Sequence, residues 1–254
     1  MTKIISNINT FKKYRQSKYL FGKTIGLVPT MGALHNGHIA LIKRSIIENN
    51  ITVVTIFVNP TQFNNKEDLL KYPNNLNDDL LILKKLRVDI VLTPNYEELY
   101  PDNYNYRLSE KNLSNIFCGK YRPGHFEGVL TIVMKLLNIT KPNKAYFGKK
   151  DYQQLKLITG MVDAFFIDTK IVAHPIVRNE SGLALSSRNE RLSSEEKILA
   201  VDFHNILSSG ESISKIKSIL KQKGFVVEYV EKFEDRILGA VYLNKVRLID
   251  NVKI

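Results

Sequence analysis

The 254-residue chain has no tryptophan and a single cysteine, Cys118. One thiol cannot close an internal disulfide, so a disulfide-built secreted scaffold is excluded and a reducing compartment is expected. No apolar run approaches the ~18 residues of a membrane-crossing helix. The N-terminal stretch MTKIISNINTFKKYRQSKYLFGK is basic but lacks the apolar h-region of a secretory signal. The expected setting is cytoplasmic, with no membrane partner. Acidic residues are scarce as well, 25 against 37 Lys and Arg, a formal charge of +12. Such an excess raises the question of nucleic-acid binding. The lysines are scattered, however (Lys12, Lys43, Lys84, Lys135, Lys215, Lys245), and neither zinc-finger spacing nor an RNP-like aromatic motif accompanies them. The expectation is therefore no nucleic acid, and a positive field that attracts a small anionic substrate.

What is present is an ordinary globular composition, 44% hydrophobic and 24% charged. Thr24–Val28 reads as a short strand stopped by Pro29, and His38–Asn49 carries apolar residues at helical spacing. Ile51–Val58 is a continuous, largely β-branched run, as in a strand buried on both faces. Leu76–Leu86, Val129–Leu137 and Tyr152–Phe165 read as helices; Val88–Leu92, Ala145–Phe147 and Lys170–Ala173 read as strands. Strands alternating with helices predict an α/β fold, a parallel sheet flanked by helices, over residues 1–176. Ligands of such sheets sit in the loops at the C-terminal strand ends. Beyond 176 the pattern changes. Ser193-Ser194-Glu195-Glu196 looks like a capping box, Ser212–Lys221 like a further helix, and Val226–Val230, Val241–Leu243 and Val246–Ile249 like short strands. A small α+β C-terminal domain is expected over residues 177–254.

Five clusters carry chemistry. Pro29–His38 (PTMGALHNGH) lies between the first long strand and its helix. Its glycines permit close backbone approach, and a helix N-terminus favours an anion. His35 and His38, as imidazolium or as N–H donors, suit charge developing on phosphoryl oxygens. The alternatives are two satisfied surface histidines or half a metal site, the latter disfavoured by five histidines in all and one cysteine. Asn59–Phe63 (NPTQF) supplies Gln62, a donor and acceptor suited to a hydroxyl-bearing carboxylate. Cys118–Gly128 (CGKYRPGHFEG) could bind anions or serve as a lid or turn. Phe147–Leu155 (FGKKDYQQL) places Lys150 at a helix start, where a cation is favourable only beside an anion. Gly182–Asn189 (GLALSSRN) pairs two hydroxyls with an arginine, a clamp for phosphate oxygens or a helix cap.

In this order the clusters resemble the pantothenate synthetase (pantoate–β-alanine ligase) family, with its P-T-M-G-x-L-H-x-G-H, N-P-x-Q-F, K-Y-R-P-G-H-F-x-G-V, F-G-x-K-D-Y-Q-Q and S-S-R-N motifs. The similarity spans the first three quarters of the chain and resumes weakly at Arg247–Asn251. It implies a cytoplasmic homodimeric ligase with a Rossmann-like first domain and a small C-terminal lid. Pantoate carboxylate would attack the α-phosphate of ATP, with Mg2+, releasing pyrophosphate and leaving pantoyl adenylate. The amine of β-alanine would then displace AMP to give pantothenate.

The resemblance also implies roles. Met31, Gly32, Ala33, Leu34, His35, Asn36, Gly37 and His38 would contact ATP, with His35 and His38 at the phosphates and His38 as proton donor. Gln62 and Gln154 would hold pantoate, Gln62 also beside the β-alanine path, with Asn59 a neighbour. Gly148, Lys149, Lys150 and Asp151 would contact the nucleotide, Lys150 at phosphates and Asp151 near the ribose. Val177, Leu185, Ser186, Ser187 and Arg188 would close over ATP; no metal ligands are implied. The pattern departs at Leu185 (commonly Met), Lys149 (commonly acidic), Asn64 (commonly Gly) and Asn74 (commonly Arg). The chain is also short for the family, so a trimmed lid is expected. A nucleotidyltransferase would share H-x-G-H, but neutral Gln62 and Gln154 fit a phosphorylated substrate poorly.

Overall fold

The computed structural model describes residues 1–254. The chain runs through β1 (Lys3–Ile5), α1 (Ile8–Arg15), β2 (Ile25–Thr30), α2 (Asn36–Glu48), β3 (Ile51–Ile56), α3 (Lys66–Leu70), α4 (Leu76–Lys85) and β4 (Ile90–Leu92). It continues through α5 (Tyr96–Leu99), α6 (Cys118–Tyr121), α7 (His125–Thr140), β5 (Lys144–Gly148), α8 (Tyr152–Ala164) and β6 (Lys170–His174). These six strands form one parallel sheet in the order β1-β4-β3-β2-β5-β6. From β2 the chain builds outward through β3 and β4, then returns to the other side of β2 for β5 and β6. The strand order reverses between β2 and β5, and the crevice beyond their C-terminal ends is where such a sheet binds ligands.

Packing follows from the sequence pattern. All six residues of β3 are buried, as the uninterrupted ITVVTI requires. Leu27, Val53 and Ala145 face a core with Phe126, Leu130 and Ile158 from α7 and α8, whereas Val28, Val54 and Tyr146 face α2 and α4 through Ile42 and Leu83. Alternate residues of one strand thus reach opposite layers.

Pro29 does not stop β2, contrary to the expectation; the strand runs to Thr30, with Pro29 opposite Thr55 of β3. The carbonyls of Thr24 and Thr30 bond to Ile51 N and Phe57 N, so the even-numbered residues face β3. The N–H that Pro29 lacks would face β5, and that pairing ends at Leu27 opposite Ala145. No ladder bond is lost. β1 and α1 also escaped the sequence reading, because a three-residue strand and an eight-residue helix carry too few periods to register.

After residue 176 come α9 (Ser194–Leu207), α10 (Ile213–Gln222) and the antiparallel sheet β7 (Val226–Phe233), β8 (Arg236–Leu243), β9 (Val246–Lys253). Ser193 and Glu196 form the expected capping box. Each strand has eight residues, longer than the apolar runs suggested, because the turns at Glu234-Asp235 and Asn244-Lys245 take only two residues each and the ladder is otherwise interrupted only by a bulge at Glu228. Both faces of the central strand are covered. Ile237 and Val241 pack with Phe203 and Leu207 of α9, while Leu238 and Ala240 join Tyr229 against the core of the parallel sheet. No helix is long and apolar enough to cross a membrane.

Candidate active site

The turn after β2 is shaped from behind by Asp79 of α4. Its buried carboxylate accepts from Ala33 N at 2.9 Å and Leu34 N at 2.8 Å. Gly32 (φ +81°) and Ala33 (φ +50°) take left-handed conformations there, and a Cβ on Gly32 would lie 2.8 Å from Asp79 Oδ2.

The two histidines then cap α2. His35 Nδ1 accepts from Gly37 N at 3.1 Å, and His38 Nδ1 receives His35 N at 3.4 Å, a reciprocal capping box built from imidazoles. Gly37 is needed here, since a Cβ would stand 2.7 Å from His35 Cε1. The rings stack with centroids 4.0 Å apart. With both Nδ1 atoms accepting, both Nε2 atoms carry the proton. Burial, aided by Lys150, lowers His35 to about 4; burial, His35 and Lys150 lower His38 to about 3. Of the two forms considered from the sequence, the neutral N–H donor is therefore the one present at neutral pH.

After β3, Asn59 is buried and fully bonded: Nδ2 reaches Gln62 Oε1 (3.1 Å) and Gly128 O (3.2 Å), while Oδ1 accepts from Tyr100 Oη (2.9 Å) and Thr61 Oγ1 (3.0 Å). It orients the amide of Gln62, whose Nε2 lies 3.0 Å from Met31 Sδ. His125 supports the same loop. Its Nδ1–H donates to Gln62 O at 2.8 Å, leaving Nε2 to accept from Arg122 Nη1 at 3.0 Å. Burial and the neighbouring Arg122 hold His125 well below its usual pKa. Gly128 packs against this loop so closely that a Cβ would sit 2.5 Å from Thr61 O and 2.7 Å from Gln62 N. Gly128→Ala is expected to cost about 1–3 kcal/mol, as overpacking against backbone does; urea unfolding of the variant checks this.

The switch-point partner of the histidine turn is the loop after β5, where Lys150 faces His35 and His38. Gln153 and Gln154 point different ways from α8, as neighbours on a helix must. Gln154 enters the cleft, whereas buried Gln153 bonds to Cys118 N, Leu113 O and Ile116 O. From the segment after β6, Ser187 Oγ donates to Ala33 O at 3.1 Å and Ser186 Oγ accepts from Arg188 N at 3.3 Å. Arg188 and Arg191 both pair with Asp68 of α3, at 2.8 and 2.7 Å.

A cleft of about 230 Å3 collects Met31, His35, Gly37, His38, Asn59, Gln62, Gly148, Lys150, Asp151, Gln154, Val177, Leu185, Ser186, Ser187 and Arg188. Gly32, Ala33 and Leu34 instead shape the turn behind it, Asn36 is exposed, and Lys149 lines a separate hollow with Lys156 and Arg236. The sequence reading missed Tyr72, whose hydroxyl lies 3.5 Å from Ser187 Oγ, and the apolar floor of Val129, Ile132, Val133 and Leu136 from α7. Helical spacing marks that floor as a helix and carries no signal of which face lines a site. No three metal-ligating side chains converge anywhere in the chain.

A parallel α/β sheet whose switch-point loops gather neutral imidazoles, a lysine, hydroxyls and amides around one cleft defines an enzyme acting on small anionic substrates. The family model for pantoate–β-alanine ligase matches residues 3–253, and the chain belongs to that family, the pantothenate synthetases. It is 47% identical to the pantothenate synthetase of Coxiella burnetii over 99% of this chain and 97% of that one. It is 46% identical to that of Bdellovibrio bacteriovorus over 100% of both. The chain thus spans nearly the whole length of both relatives. A crystal structure of the Francisella tularensis pantoate–β-alanine ligase, complexed with β-γ ATP and β-alanine, superposes with a TM-score of 0.95 at 46% identity, covering 100% of this chain and 98% of that one. The Thermus thermophilus enzyme gives 0.90 at 34% identity, over 100% and 99%.

Proposed function

We propose that this ligase works in two steps within the one cleft, with ATP, pantoate and β-alanine as substrates. A pantoate carboxylate oxygen attacks the α-phosphorus, the bond from that phosphorus to the bridging oxygen breaks, and pyrophosphate leaves with the electron pair. The free amine of β-alanine then attacks the acyl carbon of pantoyl adenylate. AMP leaves with the carbon–oxygen bonding pair, and the amine proton passes to solvent. The observation that carries this reading is the neutral His35–His38 pair facing Lys150 across the switch point. Two Nε2–H donors and an ammonium meet the charge building on phosphoryl oxygens without a covalent step, so catalysis rests on positioning and electrostatics.

Gln62 and Gln154 supply neutral donors and acceptors for pantoate, with Asn59 as the residue that orients Gln62. Ser186, Ser187 and Arg188 face the phosphates, with Val177, Leu185, Gly148 and Asp151 around the nucleoside. Mg2+ fits this site as part of the substrate. Both Asp79 oxygens already accept backbone N–H groups and Asp68 is shared by two arginines, so the ion would arrive on the ATP phosphates. Residues 177–254 would act as the lid that keeps water from the mixed anhydride. Membership of this family also supports a cytoplasmic homodimer.

The deciding experiment is ATP–pyrophosphate exchange with pantoate present or absent and no β-alanine. Exchange that requires pantoate is expected; none from folded protein supplied with magnesium would sink the adenylate. Gln62→Ala should raise the pantoate KM ~10-fold or more, the scale of a hydrogen bond to a charged group. An unchanged pantoate KM would leave Gln62 only a loop residue.

A further inference from the structure

Beside the cleft, sharing Lys150, Asp151, Ser186 and Arg188 with it, lies a larger cavity of about 420 Å3 between α3, the segment after β6 and the β7–β9 sheet. Its walls are unusually rich in charge, and most of that charge is matched. Asp68 takes Arg188 and Arg191, Asp250 takes Arg178 at 2.7 Å, Glu67 takes Lys71, and Arg247 takes Glu228. Two wall cations are left over, Arg122 and Lys245. Arg122 is the telling one. Its guanidinium contacts only His125 Nε2 (3.0 Å), Gln62 O (3.4 Å) and Asn64 Oδ1 (3.4 Å), all neutral. Burial, and the facing charges of Arg188 and Arg247, lower its pKa to about 10. The nearest carboxylate, Asp68, offsets this only in part, being already paired with Arg188 and Arg191, so a partly buried guanidinium bonded to neutral acceptors alone would gain from a further anion.

We propose that this cavity is a binding site for inorganic pyrophosphate, held by Arg122, Arg188, Arg191 and Lys245, into which the leaving group moves from the cleft. The proposal rests on the adenylation step above. Three features favour pyrophosphate over the carboxylate end of an amino acid. The surplus is of two cations around one space, matching a multivalent anion rather than a zwitterion of zero net charge. The cavity adjoins the cleft along the wall that carries Lys150, Asp151, Ser186 and Arg188, so a group released at Lys150 and Arg188 lies at its edge. Arg188 and Arg191 converge on a single carboxylate, Asp68, and a pyrophosphate would satisfy the guanidinium donors that one carboxylate leaves over.

The test is calorimetric titration of the full-length protein with inorganic pyrophosphate, in the presence of saturating AMP, for the wild type, Arg122→Gln and Lys245→Gln. Pyrophosphate should bind alongside AMP. Arg122→Gln should weaken it ~10-fold, the scale of one charge-assisted contact, and Lys245→Gln ~3-fold, as for an exposed charge, with AMP affinity unchanged in both. Lys245 sits exposed in a hairpin turn, so its variant keeps the test informative if Arg122→Gln unfolds. Equal pyrophosphate affinity in wild type and variants overturns the proposal. So does an Arg122→Gln variant that binds pyrophosphate normally while its β-alanine KM rises, because the arginine then serves a carboxylate. Absence of pantoate-dependent exchange alongside Arg122-dependent pyrophosphate binding would remove the adenylation reading and leave the anion site standing.

Discussion

Replacing His38 with alanine is expected to slow pantoate-dependent ATP–pyrophosphate exchange by ~10²–10³, the effect of deleting one preorganised donor to transition-state charge. The fold should survive. His38 Nδ1 satisfies His35 N at the start of α2, and losing such a cap costs ~1 kcal/mol, visible as a small drop in unfolding midpoint. His38→Gln, which keeps an N–H donor, should recover part of the rate. Near-normal exchange in the alanine variant would sink the role. The neutral state adds a second signature. His35 at about 4 and His38 at about 3 do not titrate between pH 5 and 8, so the rate should show no inflection near 6.5 attributable to them. An imidazolium mechanism would instead show activity rising as the pH falls through that value.

The difference between the sequence reading and the structure follows the range of the interactions involved. β3 was legible because ITVVTI is one uninterrupted message, apolar on both faces and bounded by polar residues. The histidine turn was legible for a similar reason, since its glycines and histidines stand within ten consecutive residues. Asp79 was not, because nothing in Asn77-Asp78-Asp79 announces that one carboxylate will turn inward and bond to Ala33 and Leu34, 46 and 45 residues away. Lys149 and Lys150 show the same limit at short range. Sequence neighbours at the start of a helix face different directions, and only the placement of β6 and β9 determines which lysine meets the cleft. Asn59 and His125 sat inside motifs noticed from the sequence, yet their work of holding Gln62 depends on contacts across α7 and the β3 loop. The cleft-facing residues were thus recognisable in outline, and the residues that aim them were not.

Acid should destabilise the protein well before its carboxylates protonate. His35, His38 and His125 are all held below the usual 6.5, chiefly by burial. Above 6.5 both folded and unfolded chains carry these rings neutral, and they contribute nothing to the pH dependence. Below 6.5 the unfolded chain takes up protons that the folded chain refuses, so stability falls as the pH falls, down to about 4 for His35 and about 3 for His38. Each ring removes up to about 1.4 kcal/mol per pH unit in that window, or about 2 kcal/mol between pH 7.5 and 5. The ion-paired carboxylates act elsewhere. Asp68 and Asp250 are lowered below 3.8, so the stability they confer is lost only at still lower pH. Asp79, raised by its burial, opposes the histidines, since the folded chain takes up its proton before the unfolded one does. Urea midpoints should therefore drop steeply from pH 7.5 to 5, and His125→Asn should shallow that slope by about a third, one ring of three, whatever it does to the stability at pH 7.5. Equal midpoints at the two pH values would mean that the buried imidazoles accept protons without loss of the fold.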